Sequence, residues 1–230
     1  NFDWFKLAKK TGSTQDYNIT LNGGSDKIQS MFTMGYFKEE GAVKGYDLSR
    51  YSTRIKVIYK PYEWLSIKPN LSGSRTTDKD RQYSVGAMYS MLPWDNPYDE
   101  NGNPVPNYYS GWVNSKATNY LNDLAAGNYS SSCSYDLSGG FDFDVKITPW
   151  LTFSSVNNYS YYNSQTHGYT DPKSSGGEGV DGRITEYNYN ATRRYTNQLL
   201  RFQKSWGKHN VNGLVAYEFN DYEMKYTDVY

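Results

Sequence analysis

Between Tyr17 and Phe37 the chain alternates apolar and polar residues, reverses, and alternates again. Tyr17, Ile19 and Leu21 fall on one side; Asn18, Thr20 and Asn22 fall on the other. A period of two is the signature of an extended strand with one greasy and one wet face. Gly23-Gly24-Ser25-Asp26 supplies the reversal, with glycines able to take φ > 0. Ile28, Phe32, Met34 and Tyr36 resume the apolar side. A polar stretch, KEEGAVKGYDLS, then leads into RYSTRIKVIY. There Tyr51, Ile55, Val57 and Tyr59 oppose Ser52, Arg54 and Lys56. Tight turn, strand, longer polar loop and strand form one unit, with Gln15 to Arg54 as its first copy.

The unit recurs. Lys60-Pro61-Tyr62-Glu63-Trp64 reads as a second tight turn, with Pro61 favouring the corner. The strand LSIKPNLSGS follows, and Pro69 within it predicts a bulge or local irregularity, because proline removes a ladder donor. Arg75 to Ser134 lacks sustained alternation and reads as a long loop, with a short helix in TNYLNDLAAG ending at Gly127. SYDLSGGFDFDVKI alternates most cleanly: Leu137, Phe141, Phe143, Val145 and Ile147 against Asp136, Ser138, Asp142, Asp144 and Lys146. Thr148-Pro149-Trp150 turns it into LTFSSVNNYSYY. Asn163–Gly182 reads as a second loop and Tyr187–Trp206 as a strand. Gly207-Lys208-His209-Asn210 turns the chain into VNGLVAYEFNDYEMKY. PYEWLSIKPNLS and TPWLTFSSVNNYS repeat a Pro and a Trp-Leu pair at a turn, as an interfacial aromatic girdle requires. The opening NFDWFKLAKKTG carries Phe2, Trp4, Phe5 and Leu7, which suggest that it packs on something.

These segments give an all-β chain of about eight antiparallel strands, longer than the 5–6 residues usual in soluble proteins. Short turns alternating with long loops, joined by strands of about 9–11 residues or more, match a transmembrane β-barrel. Eight strands suffice for a small closed barrel. A secreted glycan-binding β-sandwich is the other reading of so aromatic a chain.

The bulk numbers bound the partners. Lys plus Arg and Asp plus Glu are 24 each, so no net charge favours nucleic acid. Tyrosine alone accounts for 25 residues, and Tyr and Trp suit surfaces with one apolar and one wet side, such as a membrane interface or a sugar site. A mean hydropathy of −0.84 is compatible with a barrel whose lumen and loops are polar. Cys133 is the single cysteine, so no internal disulfide framework exists. No run approaches the roughly 18 apolar residues of a membrane helix. No secretory signal is evident and residue 1 is Asn, so the expectation is a mature, truncated or partial chain.

TGSTQDYNITLNGGSDK, GYFKEEGAVKG and RYSTRIKV resemble the barrel of SusC/RagA-type TonB-dependent outer-membrane transporters. WGKHNVNGLVAYEFND, at Trp206–Asp221, resembles a later hairpin of the same family. The resemblance implies that residues 1–230 are part of one outer-membrane β-barrel domain. They would form consecutive strands of a larger, 22-stranded barrel. A plug domain and the remaining strands would lie outside the sequence. It also implies a multi-pass protein of the Gram-negative outer membrane that imports oligosaccharides or peptides. Its partners would be lipid, a SusD-like surface lipoprotein and TonB, the last reached through a segment not present here. Wall and external loops would be this chain's contribution.

No catalytic constellation appears, and no cofactor is implied. His167 and His209 fall in an expected loop and an expected turn, and no GxSxG, HExxH or CxxC occurs. Asp142 and Asp144 read as lumen-wall charges. Asp99-Glu100-Asn101-Gly102-Asn103 resembles part of a calcium loop, but its glycine is misplaced and no bidentate Glu follows, so an Asn-Gly turn is the better reading and no metal site is assigned. The candidate site is the longest loop. Trp94, Tyr98, Tyr108, Tyr109 and Trp112 cluster there with Asp95 and Asp99. Flat aromatics beside hydrogen-bonding groups suit a sugar, a peptide or a docking partner.

Overall fold

The computed structural model describes residues 1–81, 85–106, 113 and 118–230. Eight strands follow one another in a single antiparallel sheet: β1 (Ser13–Gly24), β2 (Ile28–Glu40), β3 (Asp47–Tyr62), β4 (Leu65–Asp80), β5 (Tyr129–Thr148), β6 (Leu151–Thr170), β7 (Arg183–Trp206) and β8 (His209–Val229). Each pairs with its neighbours in sequence order, so β1 and β8 are the two edges. One open sheet rules out a two-sheet sandwich, and eight strands whose ends do not meet are not a closed small barrel.

Turns of two or three residues join β1–β2, β3–β4, β5–β6 and β7–β8 at one end. The β7–β8 turn is residues 207–208, and Gly207 sits at φ 58, where a side chain is disfavoured. Segments 41–46, 81–128 and 171–182 join the strands at the other end. The first residues of the chain lie at that same end, because β1 runs from there toward a short turn.

Register fixes the faces. Tyr17, Tyr36 and Tyr51 lie side by side, as do Leu21, Phe32, Ile55 and Leu71. Ile67 and Phe143, and Val145 and Phe153, continue the same face. Apolar side chains on it stand open: Leu71 is 54% exposed and Phe141 51%. A soluble sheet would cover such a stripe. Two aromatic belts border it. Near the short turns Tyr62 stacks on Trp64 at 5.4 Å, and Trp150 meets Phe202 at 5.3 Å. The Lys204 ammonium sits over both Trp150 and Trp206, at 5.1 and 5.0 Å. Toward the other end Tyr36 contacts Tyr51 at 4.9 Å and the Arg75 guanidinium lies over Tyr135. Tyr51 is eight residues from Tyr59, or roughly 27 Å along a strand. At the ~40° tilt of membrane barrels that is ~20 Å along the normal, close to the ~25 Å apolar band of this class.

The apolar face has one polar inlay. Asn157 Nδ2 donates to Ser155 Oγ at 2.8 Å and to the Phe141 carbonyl at 2.9 Å; Thr196 Oγ1 donates to Asn157 Oδ1, and Gln198 Nε2 to Thr196 Oγ1, both at 2.7 Å. The groups satisfy one another, which is what a polar cluster away from water requires.

Several sequence expectations shift. The strands run further toward the long-loop end than alternation indicated. The loop read at Arg75–Ser134 shrinks to 81–128, and that at Asn163–Gly182 to 171–182. His167, expected in a loop, is on β6, where Nδ1 hydrogen-bonds Glu186 across the sheet. His209 opens β8 opposite Trp206, rather than lying in the turn. Pro69 stays in register opposite Phe141. On its β3 side paired residues lapse between Lys56 opposite Asn70 and Tyr59 opposite Ile67, without a register change. The register shift falls instead between Tyr59 and Tyr62, around Pro61. Both prolines disturb the ladder by lacking a donor, but only the one beside the turn has slack to slip.

Among the described residues no helix is long and apolar enough to cross a membrane, which says nothing of strands.

Candidate functional site

The protein's hydrophobic core lies at the long-loop end rather than on the sheet. Helix α1 (Trp4–Ala8), capped by the Asp3 carboxylate on the Lys6 amide, presents Trp4 and Ala8 inward. Met88, Met91, Tyr120 and Leu121 complete the cluster, and Phe5, Leu7, Val43, Tyr98 and Leu124 pack around it. Trp4 Nε1 donates to the Leu92 carbonyl at 3.0 Å, and the Phe2 amide to that of Pro93. The aromatic opening of the chain thus packs on the long loop, as its composition suggested. Helix α2 (Tyr120–Ala125) falls within the segment expected to be helical.

Asn119 ties this cap together. It is 1% exposed; its Oδ1 accepts the Leu121 amide as an N-cap, and its Nδ2 donates to the Pro97 and Val105 carbonyls at 2.9 and 2.7 Å. Sequence reasoning passed over Asn119, although an Asn just before YLNDLA is an N-cap signal. Asp123 then reaches the other loop, accepting both the amide and the hydroxyl of Ser175. Asn122 Nδ2 donates to the Lys173 carbonyl and the Asp171 amide to Asn128 Oδ1.

The candidate residues take separate places in this cap. Trp94 is 59% exposed. Asp95 is fully buried and accepts the Val113 amide at 2.7 Å, so it serves the loop's own architecture. Tyr98 packs against the core cluster. Asp99 accepts the amides of Asn101 and Asn103, both at 2.8 Å, around Gly102 at φ 81. This is the Asn-Gly turn read from the sequence. The Asn103 amide, first, holds the Asp99 carboxyl below its ordinary pKa. Tyr108, Tyr109 and Trp112 lie outside the described residues. Among the described residues no group of three or more His, Cys, Asp or Glu side chains could hold a metal ion.

The sheet's other face is polar. Asp144 accepts Lys68 Nζ and Ser154 Oγ, both at 2.6 Å, so it is a paired wall charge, and Asp142 accepts the Asn157 amide. Higher up, Tyr162 meets Tyr189 edge-on at 5.9 Å and the Tyr189 and Tyr222 hydroxyls are 2.8 Å apart. Arg193 Nε donates to Asn220 Oδ1.

An open antiparallel wall, apolar outside and polar inside, is a portion of a transmembrane β-barrel. The comparisons with known proteins agree. No protein-family model matches the chain. It is 23% identical to TonB-dependent receptor P3 of Formosa agariphila, over 95% of this chain and 22% of that protein. It is 24% identical to TonB-dependent receptor SusC of Bacteroides thetaiotaomicron, over 95% of this chain and 24% of that one. A structure of the RagAB peptide importer in the closed-closed state superposes with a TM-score of 0.79 at 23% identity, over 98% of this chain and 26% of that chain. The chain therefore spans about a quarter or less of the length of these relatives. The chain is thus similar to a stretch of TonB-dependent receptors, SusC among them, and shares its fold with part of the RagAB importer. The matched proteins are receptors and transporters, not enzymes.

Proposed function

We propose that this chain forms eight consecutive strands and the outer loops of a TonB-dependent importer in the Gram-negative outer membrane. The observation that carries the reading is the sheet itself. An exposed apolar face between two aromatic belts suits lipid, and a polar opposite face suits a lumen. The short turns face the periplasm and the folded cap faces outward, since long loops sit outside in this class. The rest of a 22-stranded barrel and a plug domain complete the protein. Energy comes from TonB, and a SusD-like surface lipoprotein docks at the outer rim. The cargo is an oligosaccharide or a peptide. A peptide importer among the structural neighbours supports the peptide end of that range.

Of the aromatic residues of the long loop, Trp94 and Trp112 meet the lipoprotein or the cargo. A buried aromatic anchor at such a contact costs at least about 2 kcal/mol when cut to Ala. Uptake by cells carrying the full-length receptor tests the reading: deleting the gene or TonB abolishes it. Trp94→Ala with Trp112→Ala lowers uptake or lipoprotein capture while the amount of folded barrel holds. Unchanged uptake, cargo affinity and lipoprotein capture in that variant remove the loop from the site.

A further inference from the structure

We propose that the polar face carries a subsite for a carboxylate-bearing oligomer, set between Arg54 on β3 and Arg193 on β7. The proposal rests on the importer reading, because only in a conduit does that face meet cargo.

Two adjoining cavities define the place. One, of about 350 Å³, is lined by Thr33, Arg50, Ser52, Arg54, Ser74 and Asp136. The other, of about 330 Å³, is lined by Asp136, Ser160, Tyr162, Tyr189, Arg193 and Tyr222. Asp136 lines both, so the two adjoin on the polar face and are together called the trough. Register gives its length: Arg54 lies opposite Ser72, Ser72 opposite Ser138, Ser138 opposite Ser160, and Ser160 opposite Arg193. Four strand spacings separate the backbones of Arg54 and Arg193, or ~19 Å along the wall. That matches about five to six residues of an extended peptide.

The charges decide the ligand class. Arg50, Arg54 and Arg193 bring three cations to the trough against the one carboxylate of Asp136. Among the described residues none of the four makes an ion pair. Lys68 and Arg194 contrast with them, each sitting on a carboxylate at 2.6 Å. Arg193 spends its Nε on Asn220, which fixes the guanidinium and leaves its two terminal nitrogens for a ligand. A planar guanidinium with two such nitrogens matches a carboxylate bidentately. The Tyr162, Tyr189 and Tyr222 rings offer flat surfaces beside Arg193, and the serines between the arginines offer hydroxyls to a polar backbone or a sugar. Excess positive charge on a low-dielectric wall raises the local concentration of anions. A second space of about 650 Å³, near residues 22–26, has Lys56 but no arginine and no aromatic ring, and lacks this selectivity.

The test uses the full-length receptor in detergent, its barrel fold checked by heat-modifiable migration. Two anionic ligands and their neutral twins are titrated: an oligogalacturonate against its methyl ester, and penta-aspartate against penta-asparagine. At least one anionic ligand binds about tenfold or more tightly than its twin, as a hydrogen bond to a charged group implies. The two arms tell a uronate from a peptide source. Arg54→Gln with Arg193→Gln removes the preference, leaves the twins' affinity in place, and Arg193→Lys retains part of it. If neither anion outbinds its twin, or the preference survives the double Gln variant, the subsite is overturned. Uptake is read separately in cells: failed uptake with intact discrimination sinks the importer reading and not the subsite, and the reverse sinks only the subsite.

Discussion

Removing one buried amide should loosen the outer cap without touching the wall. Asn119→Ala deletes the N-cap of α2, worth about 1 kcal/mol. It also strips the donor from the Val105 carbonyl, costing about 1 kcal/mol or more when left buried, while the Pro97 carbonyl keeps the Val105 amide. Asn119 is 1% exposed, so water cannot replace those bonds until the cap opens. The sum is about 2 kcal/mol, and at about 1.4 kcal/mol per decade the open cap becomes roughly thirtyfold more populated. Hydrogen exchange of the full-length receptor, followed by mass spectrometry, reads this in peptides covering 97–105 and 119–125. Peptides from β5 to β7 serve as the internal reference, since opening is local. A change below about threefold in the cap, or an equal change in the strands, refutes the assignment of Asn119 as the cap's tie.

Phe141→Arg places a cation on the lipid face and costs roughly 2–4 kcal/mol at the membrane midplane, whereas Ser138→Arg points into the lumen; yields of folded barrel differ accordingly, and equal yields overturn the face assignment. In a background lacking Cys133, a cysteine at Gly102 is labelled from outside intact cells and one at Lys208 is not; the opposite result inverts the topology. The Asp99 turn responds to acid. Its carboxyl has a folded pKa below the ordinary value, so the turn's contribution is complete above the usual carboxylate range, near ~4, and is lost as pH falls through the folded value. The Asn103 amide should then exchange faster at low pH than intrinsic chemistry predicts, and Asp99→Asn should abolish that response.

The sheet was legible because lipid and lumen impose a period of two on the membrane-spanning part of each strand. Leu137 to Ile147 shows it plainly. Beyond the belts both faces are wet, and the rule lapses. Segments such as Arg75–Asp80 and Asn163–Thr170 pair in the sheet yet carry no alternation, so they read as loop. His167 was misplaced for that reason. The cap was hidden for another. Trp4 packs on Tyr120, which is 116 residues away, and nothing in either local sequence names its partner. Among the candidate loop residues, composition marked Trp94, Asp95, Tyr98 and Asp99 equally. Burial then separates them: Asp95 and Asp99 hold backbone amides, and Trp94 faces outward.

The strands also lengthen along the chain, from 12 and 13 residues in β1 and β2 to 24 in β7. At ~3.3 Å per residue, β7 outreaches β2 by roughly 36 Å of strand. Along the register Ile28 of β2 falls in one row with Gln198 of β7, and Glu40 with Glu186, so eight of the eleven extra residues lie toward the short turns and three toward the long loops. The short-turn edge of this arc is therefore a staircase, while the long-loop edge is nearly straight along the register. The cap bridges that straight edge, tied at one side through Lys9 beside Val43 and at the other through Asp123 and Ser175. A staircase of turns is what sloping strands need if their turns are all to meet one membrane surface.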